Sequence, residues 1–348
     1  MGLDLGSRLE ARESRDSSPD CFLHVLPVPP CLPAHPADSE YRGGRRAAAR
    51  SAEADRPYTS AMNIDRFRVR PDDKRAIKRH APDFTGPFKS GEEVHGHRQK
   101  SLERLEKLQT RLYAYDRYAM LLIFQGMDAA GKDHVIKHVM SGVNPQGTQV
   151  HSFKQPSAEE LDHDFFWRST KALPERGRIG LFNRSYYEEV LVVRVHSKLL
   201  HAQKLPDKCI TKHIWDERFE DIRAYERHLW RNGTIIRKFF LNVSRGEQRR
   251  RFLERIDDPE KNWKFSSADL IEREKWKEYH SAFADALAAT SRHHAPWYVI
   301  PADHKWFAQA LVSDIIVDAL EHLNLSAPKL APEKRRDLAK ARKQLGER

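Results

Sequence analysis

The sequence predicts an α/β fold built on a parallel sheet covered by helices on both faces. Two observations carry this. Short apolar runs of strand length alternate with helical patterns from residue 119 onward, and strands joined through crossover helices lie parallel and buried on both sides. The first of these runs, Ala119 to Phe124, ends at a glycine-bearing loop that opens into a helix. Ligands in such sheets bind beyond the carboxyl ends of the strands, so the loop marks the expected functional edge.

Leu102, Leu105, Leu108 and Leu112 recur at helical spacing from about Glu93, which predicts an amphipathic helix ahead of the sheet. After the loop, Val135, Ile136, Val139, Met140 and Val143 mark the inner face of the next helix. Asn144-Pro145-Gln146-Gly147 predicts a turn, and Thr148 to Phe153 a second strand. A helix carrying Leu161, Phe165 and Trp167 is expected to end near Pro174, followed by a strand from Ile179 to Phe182. Ile214, Ile222, Tyr225 and Leu229 define a long helix, stopped by Asn232-Gly233. Thr234 to Val243 is the clearest strand in the chain. Charged helices fill about Arg245 to Ala289, Trp297 to Ile300 is a last short strand, and Leu311 to Leu323 closes the domain as a helix.

The chain has 348 residues, of which 39% are hydrophobic and 32% charged. No apolar run approaches the roughly 18 residues of a membrane span. A net charge of +11 favours polyanionic partners: nucleic acid, an anionic membrane surface, or phosphate-rich small substrates. Of three cysteines, Cys21 and Cys31 fall in a stretch without periodicity, leaving Cys209. Neither a disulfide framework nor a cysteine-based metal site is expected, and the eighteen histidines show no zinc-like spacing. The first residues lack a basic start followed by an apolar core and carry Asp4, Glu10, Glu13 and Asp16, so the expected location is the cytoplasm. The expected organisation is a disordered extension over 1–61, a catalytic domain over 62–325, and a basic, solvated, frayed tail over 326–348. Translation starting at Met62 is the other reading of the extension.

Gly126-Met127-Asp128-Ala129-Ala130-Gly131-Lys132-Asp133 fits G-x-x-x-x-G-K, with Asp where Ser or Thr is usual. The backbone of Gly126, Ala129, Ala130 and Gly131 can curl its amides inward onto phosphate oxygens, and the helix N-terminus adds partial positive charge. Lys132 reaches a terminal phosphate as a point charge. Two carboxylates in such a cradle repel phosphate unless a divalent cation intervenes, so Asp128 and Asp133 are candidate Mg²⁺ groups. Helix capping is the alternative for Asp133.

The loop continues into a longer constellation: Ile136-Lys137-His138-Val139, Gly142-Val143-Asn144-Pro145-Gln146-Gly147, Ser152-Phe153-Lys154-Gln155-Pro156-Ser157, His163 to Arg168, Arg176-Gly177, and Gly180 to Glu189. In order and spacing this run resembles the polyphosphate kinase 2 family, over about Asp65 to Leu325. The resemblance implies a P-loop kinase fold with a five-stranded parallel sheet and a helical, arginine-rich lid at about 245–275. It implies Mg²⁺-dependent phosphoryl transfer between inorganic polyphosphate and AMP, ADP or ATP, with no obligatory ATP donor and with members that accept both AMP and ADP. A homo-oligomer, dimer or tetramer, is expected, with neither a membrane nor nucleic acid as partner. By resemblance the catalytic groups fall on Asp128, Lys132 and Arg184, and lid arginines within Arg245 to Arg255.

Phosphoryl transfer depends mainly on positioning and charge neutralisation, so a polyanion needs a basic path. Candidates are Lys137, Lys154, Arg168 and Arg178, each equally readable as a solvated surface residue. Lys154 stands out because it directly follows a strand. Arg184 lies just past a strand end, where its planar fork can clamp two phosphates. Glu188 and Glu189 either hold Mg²⁺ through water or favour a helix dipole. In a helix, Arg245 and Arg249 share one side and could face phosphate together, while Arg250 and Arg251 turn away and read equally well as a solvated charged face. Phe252 is expected to pack inward, Lys264 to sit where a lid folds over, and Trp263 and Trp276 to act as apolar anchors. Two rivals share these residues: an ATP-dependent nucleoside monophosphate kinase, and a non-catalytic polyanion-binding protein.

Overall fold

The computed structural model describes residues 62–326 and 330–346; the expectations for residues 1–61 lie outside the described residues. Five strands form one parallel sheet: β1 (Ala119–Gln125), β2 (Thr148–Ser152), β3 (Ile179–Asn183), β4 (Thr234–Asn242) and β5 (Trp297–Pro301), in the order β2-β3-β1-β4-β5. Strand β1 is central, with Leu122 opposite Leu181 on one side and Arg237 on the other. All seven of its residues are buried, as a continuous apolar run between two helical layers must be. Helices α1 (His95–Tyr115), α2 (Lys132–Met140) and α11 (Lys305–Glu321) pack with one another, and α7 (Ile214–Arg231) packs with α10 (Trp276–Thr290) and β4. Consecutive strands β1 and β2 are separated by β3 in the sheet, and β3 and β4 by β1. The order therefore reverses beside β1, where the P-loop leaves the sheet.

The structure departs from the sequence expectations in four places. The helix expected through Leu161 and Trp167 is two short ones, α3 (Ala158–Leu161) and α4 (Trp167–Lys171). A capping box between Ser157 and Glu160 starts α3, and Asp164 Oδ1 accepts the Phe166 N–H at 2.8 Å, turning the chain between them. Two further short helices, α5 (Val192–Val195) and α6 (Lys198–His201), follow β3. Residues 245–275, the expected lid, hold α8 (Arg245–Asp257) and α9 (Ala268–Glu274), and there Trp263 is 78% exposed and anchors nothing. The basic tail, expected to be frayed, forms an exposed helix α12 (Pro332–Gln344). Among the described residues no helix is long and apolar enough to cross a membrane.

Behind the functional edge lies a buried polar network. Lys238 on β4 and Glu226 on α7 are fully buried and paired at 2.6 Å. Lys238 Nζ also donates to Tyr187 Oη at 2.8 Å and to Thr290 O at 2.9 Å. Tyr186 and Tyr187 both donate to Glu226 Oε1, at 3.0 and 2.8 Å. Burial pushes Lys238 down to about 8 and Glu226 up, each held charged by the other. Removing one partner strands a charge in the core. Glu226→Ala is therefore expected to cost roughly 3–5 kcal/mol of unfolding free energy, and Glu226→Leu combined with Lys238→Met much less. Denaturant unfolding of both proteins checks this; a double substitution as damaging as Glu226→Ala contradicts it.

Candidate active site

The loop from Gly126 to Lys132 connects β1 to α2, and its curl needs two glycines. Gly126 has φ +155°, and a Cβ there would meet Leu241 O at 2.9 Å. Gly131 has φ +101° at the N-cap of α2, a region L side chains avoid. Lys132 folds back into the loop, its Nζ donating to Gly126 O at 2.8 Å and Met127 O at 3.2 Å. Burial lowers its pKa to about 8 and Arg184 adds to the drop, while Asp128, Glu188 and Asp133 oppose it.

Arg184 completes the site from the end of β3. Its backbone is left-handed, φ +64°, and its N–H donates to Phe124 O at 3.0 Å. The guanidinium lies between two carboxylates: Nη2 donates to Asp128 Oδ1 at 2.5 Å and Nη1 to Glu188 Oε2 at 2.9 Å. Asp133, exposed in the first turn of α2, accepts from Asn183 Nδ2 at 2.7 Å. Asp128, Lys132 and Arg184 thus converge at the mouth of the loop, with Glu188 beside them.

A cavity of about 530 Å³ opens next to this cluster. Phe153, Pro156, Leu161, Val192 and Leu199 give it apolar walls, and Lys154 and Arg168 contribute charge. Arg168 is held by Lys154 O at 2.8 Å and lies 3.6 Å from Glu160. Glu272 of α9 and Tyr279 of α10 also line the cavity. They are bonded to each other at 2.5 Å, and Glu272 also meets His196 Nε2 at 2.8 Å. Neither carries a local pattern in the sequence; the packing of α10 against α5 and the Glu272–His196 contact bring them here.

Other expected residues lie elsewhere. Arg178 precedes β3, so it sits at the amino end of that strand, paired with Glu175 at 3.1 Å. It is at the opposite edge of the sheet from the loop and leaves the candidate set. Glu189, expected at a metal, is buried and accepts from Arg218 Nη1 at 3.1 Å and from Gln203 Nε2. Its carboxylate ties α7 to the turn after β3 and is already satisfied. Lys137 is exposed on α2, outside the lining of the 530 Å³ cavity. Arg245 and Arg249 are exposed on α8, and Lys264 is exposed with its Nζ 5.0 Å from the Trp263 ring.

Arg251 is the largest correction on α8. It turns away from Arg245 and Arg249 as helical geometry requires, yet it is not solvated. It is 4% exposed, donates to Ala129 O and Ala130 O at 2.9 Å each, and reaches Ala302 O at 2.6 Å and Asp303 O at 3.0 Å. Gln248, one turn earlier, donates to Asp128 O at 2.9 Å. Arg250, by contrast, is exposed and paired with Glu247 and Glu254.

Among the described residues no group of three or more His, Cys, Asp or Glu side chains forms a metal cage. The donors present are hard carboxylate oxygens beside a phosphate loop, which suits a hard divalent cation held by one or two carboxylates together with substrate phosphates. A buried strand, a glycine loop and a lysine at a helix N-terminus, with an arginine fork opposite, define a P-loop phosphotransferase. The Polyphosphate kinase 2 family model matches residues 89–328. The chain is 54% identical to an ADP-polyphosphate phosphotransferase of Rhodopseudomonas palustris over 266 residues, covering 76% of this chain and 92% of that protein. It is 43% identical over 272 residues to an AMP/ADP-polyphosphate phosphotransferase of Meiothermus ruber, covering 76% and 96%. The crystal structure of polyphosphate kinase 2 from Arthrobacter aurescens TC1 matches with a TM-score of 0.68 at 37% identity, covering 75% of this chain and 90% of that one. The chain belongs to the polyphosphate kinase 2 family, and it is a phosphotransferase.

The lowered pKa of Lys132 has a kinetic consequence. Below about pH 8 the amine is charged and attracts phosphate; above it the free enzyme holds a neutral amine. The value of kcat/KM, which reports the free enzyme, is expected to fall above about pH 8. Lys132→Arg, charged throughout, is expected to be slower but to lose that inflection. A profile with the same inflection in both proteins contradicts the assignment to Lys132.

Proposed function

We propose that this protein transfers the terminal phosphoryl group of inorganic polyphosphate to AMP or ADP, and runs the reverse reaction, with Mg²⁺ as the divalent cation. The observation that carries the reading is the convergence of Asp128, Lys132 and Arg184 beside a largely apolar cavity of about 530 Å³. Names of the Rhodopseudomonas and Meiothermus relatives support adenine nucleotides as the acceptors. The cavity suits the acceptor. Its apolar wall of Phe153, Leu161 and Val192 takes the base and ribose, and Lys154 and Arg168 meet the phosphates. The donor chain fits the other flank of the loop, where Lys264 and Lys305 lie close enough to His134 to depress its pKa, after burial.

The residues then divide the work. Lys132 leaves the carbonyls of Gly126 and Met127 for the phosphoryl group in transit, replacing two neutral acceptors by an anion. Arg184 moves from Asp128 and Glu188 onto donor and acceptor phosphates, holding them in line as an acceptor oxygen attacks the terminal phosphorus and the P–O bond to the shortened chain breaks. Asp128, with Glu188 next to it, would hold Mg²⁺. When bound, the cation neutralises charge that these carboxylates would otherwise set against phosphate. Residues 245–275 serve as the lid, with Arg245 and Arg249 available to it on the exposed face of α8.

The test is direct. Purified protein is incubated with polyphosphate, Mg²⁺ and AMP, ADP or GDP in turn, without ATP, and products are separated by anion exchange. ADP and ATP are the expected products from the adenine acceptors. Transfer to AMP that appears only when ATP is added contradicts the reading and favours an ATP-dependent monophosphate kinase.

A further inference from the structure

Arg251 engages every donor it has. An arginine carries five N–H groups, and here Nε meets Glu247 at 2.7 Å while Nη1 and Nη2 take the four carbonyls of Ala129, Ala130, Ala302 and Asp303. No donor remains for a phosphate. With Gln248 on Asp128 O, one face of α8 holds three consecutive carbonyls of the P-loop, those of Asp128, Ala129 and Ala130.

We propose that Arg251, assisted by Gln248, is a positioning residue that presets the amides of the phosphate loop. A trans peptide unit directs its C=O and the following N–H to opposite sides. Carbonyls pulled toward α8 therefore aim the N–H groups of Ala129 and Gly131 at the interior of the loop, while Ala130 N–H is taken by Met127 O at 3.1 Å. Ala129 has φ +60°, a conformation costly for alanine that persists only where its surroundings enforce it. Arg251 supplies that enforcement from outside the loop. The close fit shows at Gly131 too, where an added Cβ would lie 3.4 Å from Arg251 Nη1.

The same clamp reaches the lid. Gln248 Oε1 accepts from Arg273 Nη1 at 2.6 Å, and Arg273 also holds Arg245 O at 2.9 Å. At the other end, Asp303 Oδ1 accepts the N–H of Ser244, the N-cap of α8, at 2.7 Å. Helix α8 is thereby fixed between the end of β5 and the loop. Lysine cannot replace Arg251, because three donors at one point cannot span carbonyls on two segments.

The inference rests on the phosphate-transfer reading above, and the experiment separates the two. Tripolyphosphate binding is measured by calorimetry, without metal or nucleotide, for the wild type, Arg251→Lys and Gln248→Leu, and kcat and KM for AMP are measured alongside. Arg251→Lys is expected to weaken tripolyphosphate binding and lower kcat by roughly tenfold or more, the scale of a lost preorganised donor set, with KM for AMP little changed. Gln248→Leu is expected to act in the same direction but less. Guanidinium ion at millimolar concentration is expected to restore part of the activity of Arg251→Ala and none of Lys132→Ala. A folded Arg251→Lys protein with wild-type tripolyphosphate affinity overturns the proposal. Should that variant fail to fold, unchanged affinity in Gln248→Leu overturns it instead. A wild-type protein that neither binds tripolyphosphate nor transfers phosphate overturns the functional reading itself, and this inference with it.

Discussion

A guanidinium held between two carboxylates, Arg184 against Asp128 and Glu188, is the contact on which the organisation of this protein turns. The loop that must receive phosphate carries acidic side chains of its own, and anions at contact distance repel strongly wherever water is scarce. Arg184 offsets part of that charge by pairing with Asp128, and Asp128 in turn keeps the guanidinium engaged in the free protein. Its position demands a left-handed backbone at a non-glycine residue, a strain on the order of 1–3 kcal/mol that the surroundings must hold in place. The hydrogen bond from its N–H to Phe124 O fixes one side of the turn. Two residues on, Tyr186 and Tyr187 fix the other by plugging into the Glu226–Lys238 network. That buried ion pair is thus tied to the placement of the arginine fork as well as to the core.

The loop is braced in a comparable way from its outer side. Helix α8 carries exposed arginines on one face and a buried arginine on the other, so a single helix can present cations to solvent while gripping the P-loop backbone. Preorganisation of this kind matters for phosphoryl transfer, where the protein contributes mainly fixed charge and fixed dipoles. Both braces are side-chain contacts across long sequence separations, joining the ends of β3, β4 and β5 to the loop after β1.

This division explains what the sequence made legible. All five strands were readable within two residues of their ends, because each is a continuous apolar run between turn signals, and so was the loop, because it is local. Arg184 could be placed because it directly follows a strand. The same rule places Arg178 at the amino edge, because it precedes its strand. Glu189 and Arg251 were misread for a shared reason. Charge next to a motif suggests a ligand or a solvated face, whereas each is buried by a partner far away in sequence, Arg218 in one case and the Ala302–Asp303 backbone in the other. The break between α3 and α4 depended on one aspartate side chain capturing a backbone amide, and the exposure of Trp263 on how the segment between α8 and α9 lies. Neither has a periodic signature.

In the free protein Asp128 thus opposes phosphate and keeps Arg184 from it. Calorimetric titration of tripolyphosphate into wild-type and Asp128→Asn protein, with metal removed by a chelator, measures that opposition. Asparagine keeps the shape of the side chain but removes the charge that opposes the ligand and retains the arginine. Binding to Asp128→Asn is expected to be equal or tighter in the absence of metal, even though turnover with Mg²⁺ falls by orders of magnitude. Clearly weaker metal-free binding by Asp128→Asn would show the carboxylate supporting the phosphate site rather than opposing it.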